Sequence, residues 1–194
     1  MSTPANSGID ICSRALVLIG AEPITSFSDD TTESLVSNNT YEDVARTNLT
    51  STRWRFATNQ AQLNRLSAAP TGRFDAAYQL PDGYLYIHAI TVNDFQIEYD
   101  LYGDKAYCDA DTQDVLIADY TFRADEVNWP SYFCLTVEYA MATVFATSVA
   151  RDTALANQMN AQYERMLAKA RSIDSQQQST RKLTTSRFIT NRRS

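Results

Sequence analysis

The chain has few of the residue types that usually mark a catalytic or metal-binding site. Its 194 residues include one histidine and three cysteines, together with only five glycines and five prolines. A single histidine, His88, does not support a His-based nucleophilic triad, and the sequence has no Gly-x-Ser-x-Gly elbow and no glycine-rich phosphate loop. We therefore expect a non-enzymatic protein with no catalytic residues and no cofactor, in which His88 has a structural or surface role.

The cysteines and closely spaced carboxylates do not form a recognisable metal or disulfide pattern. Cys12, Cys108 and Cys134 are far apart and odd in number, which favours reduced, buried thiols. Asp109, Asp111 and Asp114 lack the mid-loop glycine and the distal glutamate of a calcium loop, so a solvated hairpin turn is the better interpretation. We expect no bound metal.

Long hydrophobic runs are also missing. Residues 1–8 have neither a basic start nor an apolar core, so we expect no signal peptide and synthesis in the cytoplasm. The most apolar stretch, 132–150, is interrupted by polar residues such as Thr136 and Glu138. This pattern predicts a helix buried on most sides and no membrane span.

Apolar residues make up 44% of the chain, which predicts a folded protein without long linkers. Helical spacing of Ile11, Ala15 and Ile19, followed by Gly20 and Pro23, predicts a first helix that ends at the glycine. Comparable patterns predict four helices, over 8–19, 31–52, 131–150 and 153–173, with strands between about 55 and 124. The expected fold is α+β and mainly α: a bundle of about four helices with a small antiparallel sheet inserted between helices 2 and 3.

Aromatic residues on either side of the strand region are the expected packing anchors. They are Trp54, Phe56, Trp129 and Phe133. We expect the two tryptophans to tie the halves of the helical body together, with a subunit interface as the alternative role for these aromatics.

The charge changes abruptly after Asp174. The whole chain carries −6 and residues 175–194 contribute +5 with no acid, so residues 1–174 carry −11. This predicts an acidic body, 1–174, and an extended basic C-terminal arm, 175–194. If fully extended, the arm would reach about 65 Å.

Several segments, taken in order, carry a resemblance to a known family. They are residues 11–27 (ICSRALVLIGAEPITSF), 53–58 (RWRFAT), 80–87 (LPDGYLYI), 105–120 (KAYCDADTQDVLIADY) and 125–133 (DEVNWPSYF). Their order and spacing resemble the head-tail adaptor (connector) proteins of tailed bacteriophages, and most closely the tail tubular protein A group. The resemblance covers nearly the whole chain.

The resemblance implies a structural virion protein at the head-tail interface, made in the cytoplasm of a host bacterium. It implies a homo-oligomeric ring, expected to be a dodecamer, that joins the portal protein to the tail nozzle or tail tube, with DNA passing through without specific binding. It also implies that the C-terminal arm docks on the portal. The arm residues expected to bind are Arg181, Lys182, Arg187, Phe188, Ile189, Arg192 and Arg193.

Two alternatives come from other functional classes. A tail-borne glycan hydrolase needs only two well-placed carboxylates, and Glu22, Glu98 and Asp100 are candidates. A DNA-binding protein could neutralise phosphates with the basic arm, although an acidic body repels DNA and favours a channel wall.

Overall fold

The computed structural model describes residues 4–68 and 70–177, and this part of the chain contains four α-helices. They are α1 (Gly8–Leu18), α2 (Thr32–Thr50), α3 (Ser131–Ser148) and α4 (Thr153–Gln176). Three of them begin at side-chain caps, since Ser7, Thr31 and Asp152 each accept a hydrogen bond from a backbone N–H of the first turn. Gly20, with φ of 78°, stands just beyond the end of α1, where a left-handed residue closes the helix.

The helices pack into one hydrophobic core. α3 and α4 form an antiparallel hairpin, and α1 and α2 pack against α3. The largest fully buried side chains of this core are Trp54, Phe133, Phe145, Ile11, Leu16, Leu49 and Met141. None of the described helices combines the length and apolar character needed to cross a membrane.

The expectation of a single small sheet is wrong. Between α2 and α3 the chain forms two four-stranded antiparallel sheets, with strand orders β1-β8-β4-β5 and β2-β3-β7-β6. The strands are β1 (Thr58–Gln62), β2 (Asn64–Arg65), β3 (Ala76–Gln79), β4 (Tyr84–Val92), β5 (Phe95–Gln96), β6 (Tyr99–Tyr102), β7 (Lys105–Cys108) and β8 (Leu116–Phe122).

The two sheets share their edges because two strands run from one sheet into the other. Only Leu63 separates β1 from β2; its N–H donates to the Leu116 carbonyl at 2.8 Å, and Leu66 N–H then donates to the Ala77 carbonyl of the other sheet. In the same way, Ile97 extends the pairing of β5 by donating to the Ile90 carbonyl before β6 begins. An edge strand that continues into a second sheet leaves fewer unpaired backbone groups for edge-to-edge aggregation.

The two sheets enclose a second hydrophobic core. It consists of Leu63, Ala76, Tyr78, Leu80, Ile87, Ile90, Ala106, Cys108, Leu116, Ala118 and Tyr120. We call residues 58–122 the sandwich, and residues 4–57 with 123–177 the helical unit. Leu85 and Phe122, at one end of the sandwich, pack against the helical core and join the two units.

A network of ion pairs and hydrogen bonds lies directly beside this junction. Arg123, directly after β8, donates to the carboxylates of Glu42 on α2 and Glu126, and its guanidinium lies 5.2 Å from the ring centroid of Trp129. Tyr41 donates its hydroxyl to Glu126 at 2.7 Å. The end of the sandwich is therefore fastened to α2 by a partly buried polar network.

Candidate interaction sites

A polar cleft of about 950 Å³ lies between the helical unit and the sandwich. The end of α2, the start of β1 and the last turns of α4 surround it. Its charged lining residues are Arg53, Arg55, Arg171, Asp119 and Asp174. We call it the root cleft, because α4 ends there and the basic C-terminal residues follow.

Asp174 fixes the end of α4 in this cleft. It is only 3% exposed, and its carboxylate accepts the backbone N–H of Arg55 at 3.3 Å and the hydroxyl of Tyr132 at 2.9 Å. Burial and the neighbouring carboxylate both raise the pKa of Tyr132, so the phenol stays protonated and donates. The residues that follow Asp174, up to Gln177, are exposed.

The charge change after Asp174 is visible in the sequence, but it predicts no role for Asp174 itself. α4 continues to Gln176, beyond the boundary at 174 that the charge pattern predicted. Leu167, Ala170 and Asp174 are spaced so that they share one face of the helix, and all three are buried. An aspartate at a core position of a helix was the signal that could have identified this anchor.

The three arginines of the root cleft differ in how fully their donors are used. Arg53 donates to Asp119 at 2.8 Å, and Gln60 donates to the other oxygen of the same carboxylate. Arg171 donates to the Ser51 carbonyl at 3.2 Å, whereas the exposed Arg55 side chain has no hydrogen-bond partner among the described residues. Arg55 and Arg171 thus retain guanidinium donors that a ligand can use.

The four predicted packing residues meet in one aromatic cluster. Phe133 lies at its centre, with ring centroids 5.1 Å from Trp54, 4.9 Å from Phe56 and 4.8 Å from Trp129. The two indole N–H groups donate to the carbonyls of Asn48 and Ala124. Because Trp54 and Phe133 are fully buried within the chain, they have no exposed surface for the alternative role in a subunit interface.

The predicted arm residues cannot be placed in the same way. Arg181, Lys182, Arg187, Phe188, Ile189, Arg192 and Arg193 all lie outside the described residues.

A first apolar surface lies on the helical unit, in a groove between α1 and α3 of about 350 Å³. Val17, which is 62% exposed, lines it with Leu18 and Pro23. Glu138 borders the groove but is only 7% exposed, with Arg14 at 3.6 Å. Burial raises the pKa of Glu138, and the guanidinium of Arg14 only partly opposes this effect.

A second apolar surface lies at the end of the sandwich that is remote from the helices. Phe95 is 77% exposed there, directly after the tight turn of Asn93 and Asp94, which both have positive φ. Val115 is half-exposed beside Leu116, which pairs with Val92 at the same end. The two apolar surfaces therefore belong to different units.

The residues considered for metal binding have structural roles in the described ranges. Asp109 accepts the N–H of Asp75, and Asp114 accepts the N–H of Asp111, within the β7–β8 connection. No group of three potential metal ligands occurs among residues 4–68 and 70–177. The cysteines are buried and unpaired, and burial raises the pKa of Cys12 to about 12.

His88 and the hydrolase candidates are likewise placed by the fold. His88 lies 2.8 Å from the buried hydroxyl of Thr121 through Nε2, and burial lowers its pKa. Glu98 and Asp100 border one shallow depression of the sandwich, where Asp100 pairs with Arg73 at 2.6 Å. Glu22 lies in the α1–α2 loop of the helical unit, so these three carboxylates do not share one site.

Two comparisons with known proteins identify no family and no relative for this chain. No family model matches the chain, and a search of curated proteins gives no match.

Proposed function

We propose that this protein is a non-enzymatic head-tail adaptor of a tailed-bacteriophage virion. In this proposal it assembles into a ring, expected to be a dodecamer, that docks on the portal and joins it to the tail nozzle or tube. The proposal rests on the order and spacing of the sequence segments between residues 11 and 133, which resemble those of phage head-tail adaptors. It also rests on features of the fold that suit such a role.

The observation that supports the proposal most is that the chain changes from acidic to basic at the end of α4, where hydrogen bonds hold Asp174 in place. A body of −11 ends at Asp174, which is held by Arg55 and Tyr132, and the following residues carry +5 with no acid. A fixed origin lets a basic segment reach one defined place on a partner surface. This arrangement favours docking through residues 178–194 onto an acidic or polar protein surface.

The two apolar surfaces support contacts with a neighbouring copy and with the next tail component. A closed ring needs a heterologous interface, in which one face of each subunit fits a different face of the next. The α1–α3 groove and the remote end of the sandwich, with Val17 and Phe95 as their most exposed residues, lie on different units. They therefore suit contacts with different neighbours, such as the next subunit and the next tail component.

The net charge suits a passage for DNA. A channel wall that carries negative charge does not retain a sliding polyanion, so the body is expected to bind duplex DNA weakly at physiological salt. Tight, salt-sensitive binding of duplex DNA by the full chain would instead favour the nucleic-acid class.

Truncation after Gln177 tests the docking role. The truncated chain keeps Asp174 and all of α4, so we expect it to fold with unchanged circular dichroism but to lose retention on purified portal rings from the same virion. The full-length variant Arg165→Gln, altered on the exposed surface of α4, is the matched control and should dock normally. Docking of the truncated chain at full strength would refute the proposal.

A further inference from the structure

We infer that the root cleft binds an acidic peptide segment of a partner protein, with Arg55 and Arg171 donating to its carboxylates. The inference deepens the proposed docking role and rests on it for the identity of the partner, the portal. The chemistry of the cleft itself depends only on the described residues.

The first argument is the unused hydrogen-bonding capacity of the cleft. Arg55 is exposed and makes no side-chain hydrogen bond within the described chain, and Arg171 makes one, to a backbone carbonyl. A guanidinium presents donors in a planar fork that matches a carboxylate, so these two side chains suit two separate carboxylates. Arg53 is already paired with Asp119 and contributes less.

The second argument is the position of these arginines in an acidic protein. The acidic lining residues, Asp119 and Asp174, are already committed to Arg53, Gln60, Tyr132 and the Arg55 backbone. The positive charge that is not neutralised in the cleft is therefore that of Arg55 and Arg171. On a body that carries −11, such a local positive site favours the approach of an acidic partner to this place.

The shape and lining of the cleft favour a peptide over DNA as the ligand. The cleft is a recess between two packed units, and its volume of about 950 Å³ suits a short segment of chain. Along one wall, Asn59 keeps its side-chain N–H donors and Gln60 its side-chain oxygen for the groups of a peptide backbone, since the hydrogen bonds within the protein use the Asn59 oxygen and the Gln60 nitrogen. A duplex would place many phosphates along the surrounding acidic surface, which opposes its binding.

Peptide binding by the full-length protein tests the inference directly. The probe is a short, fluorescein-labelled, glutamate-rich peptide, with its glutamine counterpart as the uncharged control, and the measurement is fluorescence anisotropy at about 0.15 M salt. Because each charge-assisted hydrogen bond contributes substantially, Arg55→Gln/Arg171→Gln should weaken binding roughly tenfold or more. Arg165→Gln, in the same helix, should leave affinity unchanged.

The conservative variant Arg55→Lys/Arg171→Lys adds a second readout. It keeps both charges but loses the planar fork, so its affinity should fall between those of wild type and the double glutamine variant. Both arginines are exposed side chains of the root cleft, and tryptophan fluorescence of Trp54 and Trp129 checks that each variant is folded.

Three results would overturn the inference: equal affinity of wild type and the double glutamine variant, equal binding of the uncharged peptide, or preferential binding of a duplex oligonucleotide that needs Arg55 and Arg171. The test is separate from that of the proposed function. If the peptide binds through the arginines but the chain does not dock on portal rings, the head-tail role fails and the cleft chemistry stands.

Discussion

The helical unit and the sandwich are stabilised in different ways. In the helical core Trp54 and Trp129 contact Phe133 ring to ring, whereas the large side chains of the sandwich core are mainly leucines and isoleucines such as Leu80 and Ile90. Aromatic ring contacts therefore contribute more to the helical unit. The sandwich combines an aliphatic core with ladders of backbone hydrogen bonds and with strands shared by both sheets.

The two units also differ in charge. Residues 58–122 hold ten acidic and three basic residues, a net charge of −7, whereas residues 4–57 and 123–177 hold thirteen acidic and nine basic residues, a net charge of −4. Four arginines of the helical unit, Arg53, Arg55, Arg123 and Arg171, lie near the junction with the sandwich. The exposed guanidinium groups of Arg55 and Arg171 therefore lie at the junction, whereas the sandwich presents a predominantly acidic set of side chains.

Phe133→Ala should have the largest effect on stability. The side chain is fully buried and contacts three other aromatic rings, so its removal should cost about 3–5 kcal/mol of unfolding free energy. Urea denaturation followed by tryptophan fluorescence measures this loss, because both tryptophans belong to the helical core.

The matched change in the sandwich is Ile90→Ala, which also removes a fully buried side chain and should cost roughly 2–5 kcal/mol. Hydrogen exchange resolves the two units. We expect Phe133→Ala to increase exchange in the helices more than in β4 and β8, and Ile90→Ala to do the reverse. If each variant increased hydrogen exchange equally in both units, the two cores would unfold as one cooperative unit. That result would contradict the view that the two units are stabilised separately.

Arg123→Met should have the next largest effect. It leaves the carboxylate of Glu126 with Tyr41 as its remaining side-chain donor and removes the cation from the face of Trp129, so we expect a loss of about 1–3 kcal/mol. Arg46→Met is the control, because Arg46 also pairs with Glu42 but is half-exposed, and its loss should stay below about 1 kcal/mol. If Arg123→Met and Arg46→Met lowered the urea midpoint equally, the network of Arg123 beside the junction would stabilise the fold no more than an exposed ion pair does.

The sequence predicted some parts of this molecule better than others for physical reasons. Helical periodicity is a local signal, and Gly20 and Pro23 mark the end of the first helix within a few residues. The pairing of strands is not local: β1 pairs with β8, nearly sixty residues away. The crossing of one strand between two sheets at Leu63 has no distinct local pattern, and alanines at core positions weaken the alternation that predicts a strand.

The candidate site was harder still to predict. Arg53, Arg55 and Arg171 are brought together only when the end of α4 packs beside the α2–β1 connection. The charge change after Asp174 indicated the right end of the chain, but the cleft on the folded body required the tertiary structure. The aromatic positions, by contrast, stood out in the sequence because large side chains flank the strand region.

Two glutamates of the helical unit should respond to pH in opposite directions. Burial alone would raise the pKa of Glu126, but hydrogen bonds from Arg123 and Tyr41 outweigh it and lower the pKa below 4.5. The unfolded state then binds more protons, so this group stabilises the fold above pH of about 4.5 and loses its contribution as pH falls through its folded pKa. Burial raises the pKa of Glu138, so the folded state binds more protons and stability declines as pH rises from about 4.5 through the folded pKa.

Denaturation of Glu126→Gln and Glu138→Gln between about pH 3 and pH 8 measures these contributions. The stability of wild type relative to Glu126→Gln should rise with pH in the acidic range. The stability of wild type relative to Glu138→Gln should fall as pH rises towards neutrality. Curves with the same slope would contradict the assignment of Glu138 to a desolvated position beside the groove.

Arg73→Gln should have the smallest effect, and it provides the test of ion pairs in the sandwich. Arg73 pairs with Asp100 at 2.6 Å, a shorter distance than the 3.6 Å between Arg14 and Glu138, yet its side chain is 76% exposed. Water and salt screen such a pair, so a short distance alone does not make it stabilising. We expect the urea midpoint of Arg73→Gln to match that of wild type within error at about 0.15 M salt. A urea midpoint as low as that of Arg123→Met would show that the few cations of the acidic sandwich stabilise it substantially. Charge balance would then limit the stability of the sandwich as much as packing limits that of the helical unit.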